Sequence, residues 1–206
     1  IFDIAYMRSI PNVKILTPLN AQDLANTLYF VLQKMGTIQG PIAIRYPRDV
    51  ESGKIDEICG KIDSTEFFSP FRWENLVEGN DVAILAVGTL SREYVEMCQK
   101  NNWTLLGVRS VKPLDENAIL KIISTHTFIF TVEEGTVAGG FGEGLISHIN
   151  EHFRDYLGEI RIHNIGICDQ FVPQGSRQQL ITYAGLSRNT IEEKVKENIR
   201  KGVKRV

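Results

Sequence analysis

The residues best suited to chemistry fall in a few short clusters. Arg45-Tyr46-Pro47-Arg48 follows the apolar run Ile42-Ala43-Ile44, which reads as a strand, so both arginines sit at a strand's carboxyl end. A guanidinium there can hold a phosphate through a planar, two-pronged contact that a lysine cannot reproduce. It can equally be a surface arginine paired with a carboxylate, and spacing alone does not separate the two. Glu133-Glu134 also ends an apolar run, where open α/β sheets keep their ligand crevice. One of the pair could anchor loop amides, meet a partner subunit or act as an acid-base group. Gly135, Gly139, Gly140, Gly142 and Gly144 stand between that strand and a helix, where a phosphate-binding turn would sit. No register gives GxGxxG, and Walker A lacks its Gly-Lys-Ser/Thr, so close helix–sheet packing is the plainer account of these glycines. His148 and His152 are spaced i, i+4 without the glutamate of HExxH; they read as a polar helix face rather than a metal site. The basic stretch Lys194, Lys196, Arg200, Lys201, Lys204 and Arg205 suits a helix carboxyl end, with an anion-binding tail as the alternative.

The elements that must position these residues alternate. Phe2, Ile4, Ala5 and Met7 suggest a helical turn before Pro11, and residues 13–16 a strand. Asn20 and Asp23 resemble a capping box opening a helix with Leu24, Leu28, Val31, Leu32 and Met35 on one stripe, stopped at Gly36. Residues 41–45 form the next strand, ended by Pro47. Periodicity then fails from Val50 to Asn80, where Phe67, Phe68, Phe71 and Trp73 suggest a linker that packs back on what it joins. Val82 to Val87 is a continuous apolar run, as for a strand covered on both faces. A helix through Tyr94 and Cys98 follows. Strands at 104–108, 128–132 and 160–165 and helices at 115–123 and 139–149 continue the alternation, and Thr190 with Glu193 marks a capping box for a last helix. This pattern implies an α/β fold with a mostly parallel sheet and helices on both faces.

Composition narrows the function. The 206 residues carry 23 Lys+Arg against 25 Asp+Glu, a formal charge of -2, which argues against a general nucleic-acid binder. With 43% apolar and 23% charged residues the chain is expected to bury a real core. Cys59, Cys98 and Cys168 are far apart and form no CxxC pair, so neither a disulfide framework nor a structural zinc site is expected. No apolar run approaches the roughly 20 residues of a membrane span, and no signal peptide opens the chain, so it reads as cytoplasmic. Ile1 opens at once on an apolar periodic segment, so the sequence reads as a piece of something longer.

Several stretches together resemble 1-deoxy-D-xylulose-5-phosphate synthase, a transketolase-like thiamine diphosphate enzyme. They are residues 2–12, Thr17-Pro18, Ile44 to Arg48, Val111-Lys112-Pro113-Leu114-Asp115, Val132-Glu133-Glu134-Gly135 with Gly139-Gly140-Phe141-Gly142, Asn164-Ile165-Gly166, and Asp169 to Gly175. Transketolases and the β subunits of 2-oxo-acid dehydrogenases share parts of this pattern. Arg-Tyr-Pro-Arg and Asp-x-Phe-Val-Pro-Gln-Gly are more typical of the synthase.

The resemblance implies a C-terminal piece of a three-domain enzyme, with residues 1–49 ending the pyrimidine-binding second domain, 50–80 a linker and 81–206 the transketolase-like third domain. It implies condensation of pyruvate with glyceraldehyde 3-phosphate, giving 1-deoxy-D-xylulose 5-phosphate and CO2, a precursor of isoprenoids, thiamine and pyridoxal. The expected cofactors are thiamine diphosphate and Mg2+, and the expected assembly a homodimer. Arg48 matches the family arginine that contacts the substrate phosphate, with Arg45 and Tyr46 supporting its loop. The Gly-Asp-Gly metal motif, the glutamate that activates the aminopyrimidine, and the segment carrying the active-site histidine have no counterpart here. No catalytic, cofactor-binding or metal residue is therefore expected in this chain, which by itself should be inactive and hold no cofactor. The alternatives are a non-catalytic module for subunit association or anion binding near Glu133 to Gly144, or the β subunit of a 2-oxo-acid dehydrogenase.

Overall fold

The structure, a computed structural model, describes residues 1–48, 62, 68–156, 158 and 160–203. Its first segment holds α1 (Asp3–Arg8), β1 (Lys14–Leu16), α2 (Ala21–Gln33) and β2 (Ile42–Ile44). β1 and β2 pair in parallel, Lys14 opposite Ile42 and Leu16 opposite Ile44, closing the expected β-α-β unit.

Asn20 caps α2 by accepting from the Asp23 amide at 2.7 Å. The reciprocal half of the capping box does not form. The Asp23 carboxylate instead accepts from the Leu19 amide at 2.8 Å and from Arg109 Nε at 2.7 Å. This turns the polar face of α2 inward: Asp23, Asn26 and Thr27 are buried, whereas Leu28, Leu32 and Met35 are 45, 65 and 72% exposed. The apolar stripe is real, but within this chain it faces outward, because the carboxylate of Asp23 must reach Arg109 to offset its own desolvation.

The remaining elements are β3 (Glu74–Val77), β4 (Asp81–Val87), α3 (Leu90–Glu93), α4 (Val95–Asn101), β5 (Thr104–Val108), β6 (Ser110–Lys112), α5 (Glu116–Thr125), β7 (His126–Thr136), α6 (Phe141–His152), β8 (Arg161–Ile167), α7 (Arg177–Tyr183) and α8 (Arg188–Val203). Five strands form one sheet in the order β3-β5-β4-β7-β8; β3 runs antiparallel to β5 and the other neighbours are parallel. Successive residues of β4 face opposite ways. Ala83, Leu85 and Val87 pack with Ile119, Phe141 and Leu145, while Val82, Ile84 and Ala86 pack with Leu90, Tyr94 and Ile191. Both faces are covered, which is why β4 reads as a continuous apolar run.

Three local expectations change. Residues 74–77, expected within the linker, form an antiparallel edge strand, and Trp73 beside them is buried, donating Nε1–H to the Ser110 carbonyl at 2.9 Å. Residues 50–61 and 63–67 of that expected linker lie outside the described residues. The helix through Tyr94 breaks there into α3 and α4, because the Tyr94 hydroxyl is drawn to the Leu186 carbonyl at 2.7 Å and its ring is buried. The last helix begins at Arg188, ahead of the expected Thr190 cap, with Ser187 Oγ accepting from the Thr190 amide.

The two segments share a second sheet, β2-β1-β6, in which β1 and β6 are antiparallel. Thr17 reinforces the joint, its Oγ1–H donating to the Val108 carbonyl at 2.7 Å and its amide to Arg109 O at 2.6 Å. Cys98 is buried, its thiol pushed up to about 12 by desolvation, and Cys168 is exposed. Among the described residues no helix is long and apolar enough to cross a membrane.

Candidate functional site

The carboxyl end of β2 meets the carboxyl end of β7 across the boundary between the two segments. The Arg45 amide still donates to the Leu16 carbonyl at 2.8 Å, so the sheet's bonding runs one residue past β2. Pro47 has no N–H to continue it, and the chain leaves the sheet there. Arg45 does not point to solvent. Its Nε–H donates to Asp3 Oδ2 at 2.6 Å and its Nη2–H to the Glu134 carbonyl at 2.7 Å. Arg48, by contrast, is exposed and forms no ion pair among the described residues. A cavity of about 400 Å³ is lined by Asp3, Arg45, Arg48, Glu134 and Arg177. A second, of about 620 Å³, shares Tyr46, Pro47, Arg48 and Arg177 and adds Leu19, Leu24 and Arg92. The larger hollow of about 840 Å³ lies at the opposite, amino-terminal end of the sheet, lined by Asp81, Thr104 and His126, away from the arginines.

Burial raises the Asp3 pKa, but the charge and hydrogen bond of Arg45 outweigh it and hold the carboxyl below the ordinary aspartate range. A folded pKa below the unfolded one means stability that is present above the unfolded value and lost as pH falls through the folded one. Wild type should therefore melt a few degrees above Asp3→Asn at pH 7, and that margin should begin to shrink as pH falls below about 3.9, the ordinary aspartate value, and vanish only below the lower folded pKa. Melting curves across pH check it; a margin that persists in acid would mean the pair contributes little.

The glycine cluster and Glu133 form a separate, interior arrangement. The Glu133 side chain is fully buried, and its two carboxylate oxygens accept from the amides of Phe141 at 2.9 Å and Gly142 at 3.0 Å. Burial pushes this carboxyl up from its usual range, and the two amides and Arg8 pull it back. Glu133 thus anchors loop amides at the start of α6, one of the roles its position allowed. Gly140 is required there because a Cβ would sit 2.6 Å from both carboxylate oxygens. At Gly144 a Cβ would collide with the guanidinium of Arg8, which crosses from α1 to donate to the carbonyls of Gly139 and Gly140. The cluster therefore serves close packing of helix, carboxylate and arginine.

The other candidates lie elsewhere. His148 and His152 lie with ring centroids 4.4 Å apart and planes tilted by 49°, and His148 Nε2 lies 3.8 Å from Glu116. Among the described residues no group of three or more His, Cys, Asp or Glu could hold a metal ion. In the basic stretch Lys194 donates to the Gly185 carbonyl, and Lys196 and Lys201 pair with Glu192 and Glu197 one turn back; Lys204 and Arg205 lie outside the described residues.

Sequence reading missed Asp3, Arg8 and Arg177 as partners in these arrangements. Arg177 opens α7, whose capping box is complete: Ser176 accepts from the Gln179 amide while Gln179 Oε1 accepts from the Ser176 amide. The Ser-x-x-Gln spacing at 176–179 was the available signal.

Residues 72–191, more than half of the chain, match the family described as the transketolase C-terminal domain. The chain belongs to that family. Its β3-to-α8 region has the family's α/β architecture. One solved chain titled "Split gene transketolase, inactive beta4 tetramer" matches with a TM-score of 0.74 and 26% identity, over 96% of this chain and 61% of that one. Among curated relatives, 1-deoxy-D-xylulose-5-phosphate synthase of Thermotoga maritima is 33% identical over 186 residues, 90% of this chain and 28% of that protein. The enzymes of the same name from Halalkalibacterium halodurans and Vibrio cholerae are 33 and 34% identical, over 100 and 97% of this chain and 32 and 31% of their own lengths. This transketolase C-terminal domain family member thus spans about a third or less of the curated relatives it matches.

Proposed function

We propose that this chain is the C-terminal part of a thiamine-diphosphate-dependent transferase that condenses pyruvate with glyceraldehyde 3-phosphate to 1-deoxy-D-xylulose 5-phosphate and CO2. Residues 1–49 are the end of the pyrimidine-binding domain and the third domain follows, beginning at about residue 72 where the family match and β3 begin. The single observation that carries the reading is Arg48: an exposed guanidinium, unpaired among the described residues, on the rim of a cavity whose other arginines are already tied to carboxylates. Arg48 binds the substrate phosphate, and Arg45, fixed by Asp3 and the Glu134 carbonyl, holds the loop that presents it. The outward apolar stripe of α2 supports the domain assignment, since Leu28, Leu32 and Met35 would be covered by the rest of a larger α/β domain.

Thiamine diphosphate, when bound, supplies the carbanion and the electron sink. The described residues do not fit a Mg2+-diphosphate site, having no cluster of three metal-ligating side chains. Cofactor binding is assigned to the portion of the relatives that this chain does not span. The whole enzyme is a cytoplasmic homodimer acting on small molecules.

A second reading has its own support. The solved neighbour is a split-gene transketolase, inactive as a β4 tetramer, so this chain could be one of two polypeptides of such an enzyme. The test is to incubate the full-length gene product with pyruvate, glyceraldehyde 3-phosphate, thiamine diphosphate and Mg2+. The first reading expects 1-deoxy-D-xylulose 5-phosphate and CO2 in equal amounts. The second expects product only after a separate polypeptide is added, and a transfer from pyruvate to coenzyme A would contradict both.

A further inference from the structure

We propose that Glu134 and Arg177 are positioning residues for the phosphate-binding loop, an inference that rests on the role of Arg48 given above. Glu134 engages two arginines from two parts of the chain. Its peptide carbonyl accepts from Arg45 Nη2 at 2.7 Å, and its carboxylate accepts from Arg177 Nε at 3.2 Å and Nη2 at 3.1 Å. Arg45 lies three residues before Arg48, with Pro47 restricting the backbone between them. The carbonyl that holds Arg45 and the carboxylate that holds Arg177 therefore belong to one residue at the end of β7, so a displaced Glu134 moves the base of the Arg48 loop.

Arg177 itself is committed to protein partners. Besides Glu134, its Nη1–H donates to Glu93 Oε1 at 3.1 Å and its Nη2–H to Thr89 Oγ1 at 3.3 Å. The two-pronged pairing with Glu134 and the links to α3 use up the fork that would otherwise face a ligand. Arg177 lines both cavities beside Arg48, yet it acts as a strut across them. The acid side of the strut is fixed by the sheet, its basic side by the capped start of α7. The alternative is that these charges merely hold the two segments together, which would affect stability and every substrate alike.

Steady-state kinetics of the full-length gene product separates the two through a mutant cycle. Arg177→Ala and Glu134→Gln should each raise the KM for glyceraldehyde 3-phosphate about tenfold, within the range for coupled neighbours, with the KM for pyruvate and kcat little changed. In an Arg48→Ala background Arg177→Ala should add nothing, because the contact it positions is gone. Arg177→Lys, which keeps the charge and loses the fork, should fall between wild type and Arg177→Ala and serves in its place if that variant does not fold. A tenfold effect that multiplies in full on top of Arg48→Ala, or equal rises in both KM values, would overturn the positioning role while leaving Arg48 in place. An Arg48→Ala enzyme with unchanged kinetics would overturn the underlying reading and the inference with it.

Discussion

Arg48→Ala should raise the KM for glyceraldehyde 3-phosphate by roughly 30- to 150-fold, the equivalent of losing a charge-assisted contact of about 2–3 kcal/mol. The KM for pyruvate, which has no phosphate, should change less than threefold on the same order-of-magnitude reasoning. The size of the effect follows from the environment of the side chain. Arg45 and Arg177 are spoken for by Asp3, Glu134 and Glu93, so no neighbour in the cavity is free to replace the lost fork. Arg48→Lys should recover only part of the loss, since an ammonium is a point charge without the planar pair of donors. Steady-state kinetics of the full-length gene product with each substrate varied in turn is the check, and equal rises for both substrates would sink the phosphate role.

Glu133→Ala should be the most destabilising single change in the described part of the chain. It leaves the buried amides of Phe141 and Gly142 without an acceptor, opens a cavity, and removes one of the two carboxylates, the other being Glu143, whose charge offsets the desolvation of Arg8. The two orphaned buried donors and the cavity together put the cost at about 3–5 kcal/mol. For a chain of this length that is a fall in Tm of roughly 10 °C. Glu134→Ala, one residue on and part-exposed, should cost about 1 kcal/mol or less in stability despite its effect on the loop. Calorimetry of the two variants side by side tests this; similar losses in both would mean that the start of α6 does not depend on the Glu133 carboxylate.

The contrast between these adjacent glutamates shows what sequence could and could not convey. The apolar run of β4 and the strand end ahead of Pro47 are local matters of backbone geometry and burial, and the structure follows them, whereas α2 stops at Gln33, three residues short of the expected Gly36. That Arg45 and Arg48 end a strand was legible for the same reason. The inward turn of α2 was not, because it depends on Arg109, 86 residues from its partner Asp23. β3 was hidden because an edge strand starting Glu74-Asn75 has no apolar alternation to display. The strut from Glu134 to Arg177 spans 43 residues and joins the end of a strand to the start of a helix. Nothing in the spacing of a Glu and an Arg so far apart announces a pair, whereas the glycines between Glu133 and α6 do announce close packing, with Arg8 as the partner they could not name.

Whether the Arg48 corner receives the substrate phosphate is decided by a crystal structure of the full-length protein with bound glyceraldehyde 3-phosphate. Phosphate oxygens are expected at about 2.7–3.0 Å from the Arg48 guanidinium, the usual range for charge-assisted hydrogen bonds, in the cavity bounded by Arg45 and Arg177. A phosphate bound elsewhere, with Arg48 left in solvent, would contradict that expectation.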